Sequence, residues 1–231
     1  MSSAIEKDLK AAAVPSKAKI LAGYFKTYSG GYGEGDKFLG ITVPVQRKIA
    51  KKHTGTSLDD ISKLLGSGIH EHRFTALEIL VMKFHAGDAK ERKIIFDFYL
   101  KHTHGVNNWD LVDTSAPYIV GEYLLDKNRA VLYKLAKSKN VWERRIAIVA
   151  TYTLIRNNLL GDTFKIAEIL LKDDHDLIHK AVGWMLRETG KKNQPAEEEF
   201  LKKHFRNMPR TMLRYAIEKF DPTKKAYYMK K

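Results

Sequence analysis

The chain has 231 residues, with 41 Lys and Arg against 27 Asp and Glu, a formal charge of +14. It has no cysteine, which excludes disulfides and thiolate chemistry, and no apolar run nears the ~18–20 residues that span a bilayer. The polar opening Met1–Lys10 does not resemble a signal peptide, so the expected location is cytoplasmic (nucleoid-associated in a bacterium), and the positive excess favours a polyanion partner.

Taken in order, the pattern predicts short helices over Ala4–Val14 and Ser16–Tyr28, broken at Pro15. Ser29–Gly35 holds four glycines in seven residues. That predicts a flexible loop, but it lacks the Gly-Lys-Ser/Thr ending and preceding strand of a phosphate-binding fingerprint. Phe38-Leu39-Gly40-Ile41-Thr42-Val43-Pro44 leads into a helix over Val43–His53, with Thr42 as its expected cap and Pro44 in its first turn. Helices then follow over Ser57–Gly66, His70–Phe84, Ala89–His102, Asn107–Leu125, Asn128–Lys137 and Val141–Asn157. Further on come Asp162–Leu171, Leu177–Thr189, Ala196–Phe205 and Arg210–Phe220. No segment alternates with period two between hairpin turns. The chain is expected to be all-α.

Four helix starts share a pattern, a basic residue just before an apolar face. Arg73, Arg145, Lys180 and Arg214 occupy that place, 72, 35 and 34 positions apart. A period near 35, with two helices per unit, predicts a HEAT-like helical-repeat solenoid (an αα superhelix) with a concave basic cleft. Residues 1–231 are expected to form one such domain. In this register Asp113 and Trp184 fall at nearly equivalent places, as do Arg73 and Arg145.

Asn107-Asn108-Trp109-Asp110-Leu111-Val112-Asp113-Thr114-Ser115-Ala116-Pro117 is the stretch that calls for chemistry. As a helix it places Trp109 and Asp113 on one face, turns Leu111 and Val112 to a core, and offers Asn107, Asn108 and Asp110 as acceptors in the first turn. Pro117 must kink or restart it.

Three segments resemble the AlkD-type alkylpurine DNA glycosylases, a HEAT-like family of DNA alkylation repair enzymes: Phe38–Pro44, Trp109–Asp113 and Ala181–Glu188. Trp142-Glu143-Arg144-Arg145-Ile146-Ala147 matches the family's Trp-x-x-Arg helix start between the last two. Order and spacing agree from about Tyr24 to Phe220. The resemblance implies Asp113 as catalytic carboxylate, flanked by Trp109 and Trp184, with Arg145 on the DNA backbone. It also implies hydrolysis of the N-glycosidic bond of cationic purines of the 3-methyladenine and 7-methylguanine type in duplex DNA, leaving an abasic site. The protein would act as a monomer, without cofactor or membrane. Arg73, Lys180 and Arg214, at the repeated basic places, and Thr42 and Arg47, in and just after the first matched segment, are expected to bind DNA with Arg145.

Residue type alone leaves plainer roles open. Asp113 could cap or oppose a helix dipole, either Trp could be core, Gly183 could permit close packing, and Arg145 could pair with Glu143 or another helix. Trp142, outside the basic register, is expected to pack. A non-catalytic HEAT scaffold binding structured nucleic acid or a protein is the alternative function. Nine scattered histidines include His175 and His179 four apart, but no His-Glu-x-x-His accompanies them, so no metal is expected. There is no Gly-x-Ser-x-Gly elbow. Gly190–Lys231 carries 12 Lys and Arg against 5 Asp and Glu, a second stretch able to follow phosphates.

Overall fold

Long apolar helices with polar ends need partners on every side, and two such helices organise this chain. The computed structural model describes residues 3–230 and, among them, fourteen α-helices and no strand. The expectation of an all-α chain is met. Contacts group the chain into two compact units, Met1–Ser115 and Ala116–Lys231.

The first unit holds α1 (Ala4–Ala11), α2 (Pro15–Tyr24), α3 (Val43–Lys52), α4 (Leu58–Leu65), α5 (His70–Ala86) and α6 (Ala89–Lys101). It ends with α7 (Trp109–Ala116), whose last residue lies at the division. α5 is its axis: every residue from His70 to Leu80 is buried, and α1, α3, α4 and α6 pack around it. α2 has no buried residue.

The glycine-rich loop is not an open tether. Gly33 N donates to Lys26 O at 3.3 Å and the Tyr32 hydroxyl to Tyr24 O at 3.1 Å. A Cβ on Gly31 would stand 1.9 Å from Lys26 O, and one on Gly33 2.3 Å from Phe25 O. The glycines are there to let the loop lie against the backbone of Phe25 and Lys26.

The second unit opens on a π-helical segment, Pro117–Gly121, through which the helix expected over Asn107–Leu125 runs on without a break as far as residue 123. Thr153 Oγ1 donates to Pro117 O at 2.6 Å, taking up the altered backbone. Then come α8 (Ala130–Ala136), α9 (Val141–Arg156), α10 (Gly161–Ile169), α11 (Asp176–Lys192), α12 (Gln194–His204), α13 (Arg210–Ala216) and α14 (Pro222–Met229). α9 is the counterpart of α5, buried from Arg145 to Thr151 and packed by α8, α10 and α11. α14 was not expected from the sequence. Asp221 caps it, accepting from Lys224 N at 2.9 Å, and Pro222 occupies its first turn.

The repeat is real at the level of local structure, but its register differs by one from the sequence reading. Ser67 Oγ accepts from Ile69 N at 3.1 Å, and Arg73 Nη1 donates to Ser67 O at 2.7 Å. Ser138 Oγ accepts from Asn140 N at 3.1 Å, and Arg144 Nη1 donates to Ser138 O at 3.0 Å. Asp173 Oδ1 accepts from His175 N at 2.9 Å, and the His179 ring bonds Asp173 O. Each helix start is therefore a turn whose carbonyl is held by a side chain six residues on. The equivalent of Arg73 is Arg144, not Arg145.

Candidate functional site

The matched stretch behaves as its periodicity predicts. Leu111 and Val112 are fully buried, while Trp109 and Asp113, on the other face of α7, are half-buried. Asn108 Oδ1 accepts from Trp109 N and Asp110 Oδ1 from Leu111 N. Asn108 and Asp110 therefore serve the first-turn donors as expected, while Asn107 does not, its Oδ1 being buried without a partner.

Trp109 is braced. Its ring stacks on Phe25 at 5.4 Å between centroids, Phe25 on Phe38 at 5.0 Å, and Phe38 on the His70 imidazole at 4.6 Å. The exposed Tyr24 meets Trp109 edge-on at 6.1 Å. Beneath this ladder, His70 Nδ1 lies 3.2 Å from Asp36 Oδ2 and Nε2 2.8 Å from Asp110 Oδ2. Two carboxylate partners call for a proton on each ring nitrogen. Burial alone would depress the His70 pKa, but its hydrogen bonds to Asp110 and Asp36 prevail and raise it. Burial likewise works to raise Asp36, but His70 and Arg73 hold it below the ordinary carboxylate value.

The Phe38–Pro44 segment owes its shape to Glu71. This buried carboxylate accepts from the N–H groups of Leu39, Gly40 and Ile41 at 2.8–3.2 Å. Gly40 sits at φ +84°, and a Cβ there would stand 2.1 Å from Val14 O. Glycine is required twice over. Thr42 takes the cap position of α3 by its backbone, but its side chain makes no capping bond. It lines a cavity of about 260 Å³ together with Phe25, Phe38, His70 and Asp110. Arg47 Nε donates to Glu78 Oε1 at 3.0 Å, and the same oxygen accepts from Thr114 Oγ1 at 2.7 Å. The Arg47 side chain remains 56% exposed, tied to the residue after Asp113.

Two expected DNA contacts are corrected. Arg73 is 2% exposed, with Nη2 on Asp36 Oδ2 at 2.6 Å and Nη1 on the Ser67 carbonyl. Arg145 is 5% exposed, with Nη1 on Leu177 O at 2.7 Å. Guanidiniums committed to internal acceptors in a core are structural, as the plainer reading of Arg145 allowed. Arg144 is also internal, forming an ion pair with Asp173.

In the second unit, Trp184 is half-buried on α11 and lies tilted against Tyr152 at 5.9 Å. Gly183 permits close packing, since a Cβ would stand 2.4 Å from Met212 O. Lys180 pairs with Asp176 at 2.7 Å, and Arg214 is exposed. Trp142 is buried, as expected for packing. Among the described residues, no group of three His, Asp or Glu side chains could hold a metal ion, and no helix is long and apolar enough to cross a membrane.

Sequence reasoning missed the support of Trp109. Phe25, Asp36 and His70 carry no local pattern that points to Trp109. The available signal was His70-Glu71-His72-Arg73, four polar residues that open a helix and are nonetheless followed by a mostly apolar run.

An all-helical chain of repeated helix starts, with a braced Trp and Asp on one helix face, defines a helical-repeat protein with a site of its own. A family model described as "DNA alkylation repair enzyme" matches residues 5–220, and the chain belongs to that family. It is similar in fold to a solved structure described as a predicted DNA alkylation repair enzyme from Enterococcus faecalis. The two share 17% identity at a TM-score of 0.70, over 91% of this chain and 97% of that one. No curated protein matches the sequence.

Proposed function

We propose that the chain is a monofunctional DNA glycosylase that hydrolyses the N-glycosidic bond of cationic alkylated purines, of the 3-methyladenine and 7-methylguanine type, in duplex DNA. The observation that carries this is the pairing of half-buried Trp109 and Asp113 on one face of α7, with the opposite face locked in the core. Family membership and the +14 charge support a DNA substrate.

An alkylated purine already carries positive charge, so it departs without strong help from a general acid. Charge then develops on the deoxyribose. The Asp113 carboxylate stabilises that oxocarbenium character and orients the attacking water, a contribution on the order of 3–4 kcal/mol. The negative face of an indole favours a cation or a polarised sugar C–H, which is the role of Trp109 and Trp184. Arg47 and Thr42 in the first unit, and Lys180 and Arg214 in the second, are the proposed backbone contacts. The enzyme acts as a monomer without cofactor.

The test is single-turnover base release from methylated duplex DNA by Asp113→Asn. The substitution keeps size and hydrogen bonding but removes the charge. The rate should fall roughly 10²–10³-fold, with DNA affinity kept or improved. Release at the wild-type rate would make Asp113 a helix residue only and turn attention to a non-catalytic DNA-binding scaffold.

A further inference from the structure

We propose that His70 is a positioning residue for the site on α7, its ring bridging Asp36 to Asp110 and so fixing the helix turn that carries Trp109 and leads to Asp113. The catalytic part of this inference rests on the glycosylase reading above; the geometric part does not.

The centre of the bridge is internal. His70 is 2% exposed, and its two nitrogens are taken by carboxylates from different segments, the loop before Phe38 and the start of α7. Asp110 directly precedes Leu111 in the core and directly follows Trp109. The His70 ring is also the base of the aromatic ladder, under Phe38 and beside Phe25 at 4.9 Å. One side chain thus meets Trp109 by two routes, through the backbone at Asp110 and through the stacked rings. Buried charge is a poor device for stability, since desolvation offsets most of the attraction. It is a good device for fixing one arrangement among several. The charged groups around His70 are Asp36 from the loop, Asp110 from α7, and Arg73 and Glu71 from its own helix. Arg73 is paired with Asp36, and Glu71 is occupied by the backbone amides of Leu39, Gly40 and Ile41.

Only a doubly protonated ring can donate to both carboxylates. When pH rises through the His70 pKa, which the two carboxylates hold above the ordinary imidazole value, one of the two bonds must be lost and the bridge from Asp36 to Asp110 opens.

The experiment uses the full chain, labelled with ¹⁵N, and follows the His70 ring and the Trp109 indole N–H by NMR against pH, beside single-turnover release of base from methylated duplex. The expected result is one common midpoint for His70, for Trp109 and for a falling alkaline limb of the rate. Asp110→Asn should move that midpoint down by about one pH unit, because an opposite charge is removed. His70→Gln should flatten the limb and lower the rate about ten- to a hundredfold, with duplex affinity unchanged. A Trp109 signal that stays still while His70 titrates overturns the proposal, as does a limb that neither variant alters. If His70→Gln does not fold, Asp110→Asn alone decides. If the wild type releases no base, the glycosylase reading falls, and the NMR titration still decides the bridge: a Trp109 signal that moves upholds it, one that does not overturns it.

Discussion

Glu71 offers the most direct test of how this site is held. Its carboxylate is fully buried, and Leu39 N reaches both oxygens at 3.0 and 2.9 Å, with Gly40 N at 2.8 Å and Ile41 N at 3.2 Å. Hydrogen bonds to a charged group are worth about 1.5–3 kcal/mol, against about 0.5–1.5 between neutral groups. Glu71→Gln keeps the shape but neutralises the acceptor for three donors, and sets an NH₂ against an N–H. At about 1 kcal/mol per donor, the expected loss is about 2–4 kcal/mol. Glu71→Ala should cost more, because three buried N–H groups then have no partner and a cavity is left. Urea unfolding should show a lower midpoint with an unchanged slope for the Gln variant. Amide exchange should accelerate first at Leu39, Gly40 and Ile41. A Gln variant within about 0.5 kcal/mol of wild type, the scatter of neutral surface changes, with those amides still protected, would refute the reasoning.

Glu197 is 1% exposed, Oε1 has no hydrogen-bond partner, and burial pushes its carboxyl up to about 8, from an ordinary 4.5. The folded chain then holds the extra proton between those values, so stability should fall as pH climbs from about 4.5 to about 8, by a few kcal/mol in all. Thermal melts of Glu197→Gln should lose that slope; a parallel slope in the variant would discount the residue. Gly183→Ala places a methyl 2.4 Å from Met212 O and 2.5 Å from Tyr215 Cβ. It should destabilise by about 1–3 kcal/mol through overpacking of α11 on α13, read by chemical denaturation. Arg73→Met leaves the Asp36 carboxylate, 7% exposed, without its guanidinium. Because His70 still bonds Asp36, a loss of about 1.5–3 kcal/mol, with little change in the salt dependence of duplex binding, is expected if Arg73 is structural; a shallower salt slope would return it to the DNA surface.

The helices were legible because their apolar spacing is local. The Trp109–Asp113 face was legible for the same reason, and Pro117 marked where the helix turns from α to π form. What sequence could not supply were pairings across long separations. Glu71 and Leu39 lie 32 positions apart, His70 and Asp110 40, Arg73 and Asp36 37. Without its carboxylate in view, Arg73 reads as a surface cation. The adjacent Arg144 and Arg145 concealed the true register, since only geometry shows which of them closes the turn at Ser138. α14 escaped because Pro222 reads equally as a stop and as a first-turn residue.

The turn shared by the helix starts has a consequence for how such an array acquires chemistry. Arg73, Arg144 and His179 each spend their polar group on the carbonyl six residues back. In α5, α9 and α11 these residues take the fourth helical place, which in α7 is filled by the buried Val112, while Trp109 is that helix's first residue. Val112 has no polar group with which to clasp a carbonyl, and the Trp109 ring, three residues earlier, leans on Phe25. A helix start without a clasp has its first turn set by neighbours instead, and α7, which carries Trp109 and Asp113, is such a start. The clasps at the other starts hold more than a turn, since Arg73 also pairs with Asp36 and Arg144 with Asp173, carboxylates that are only 7% and 6% exposed.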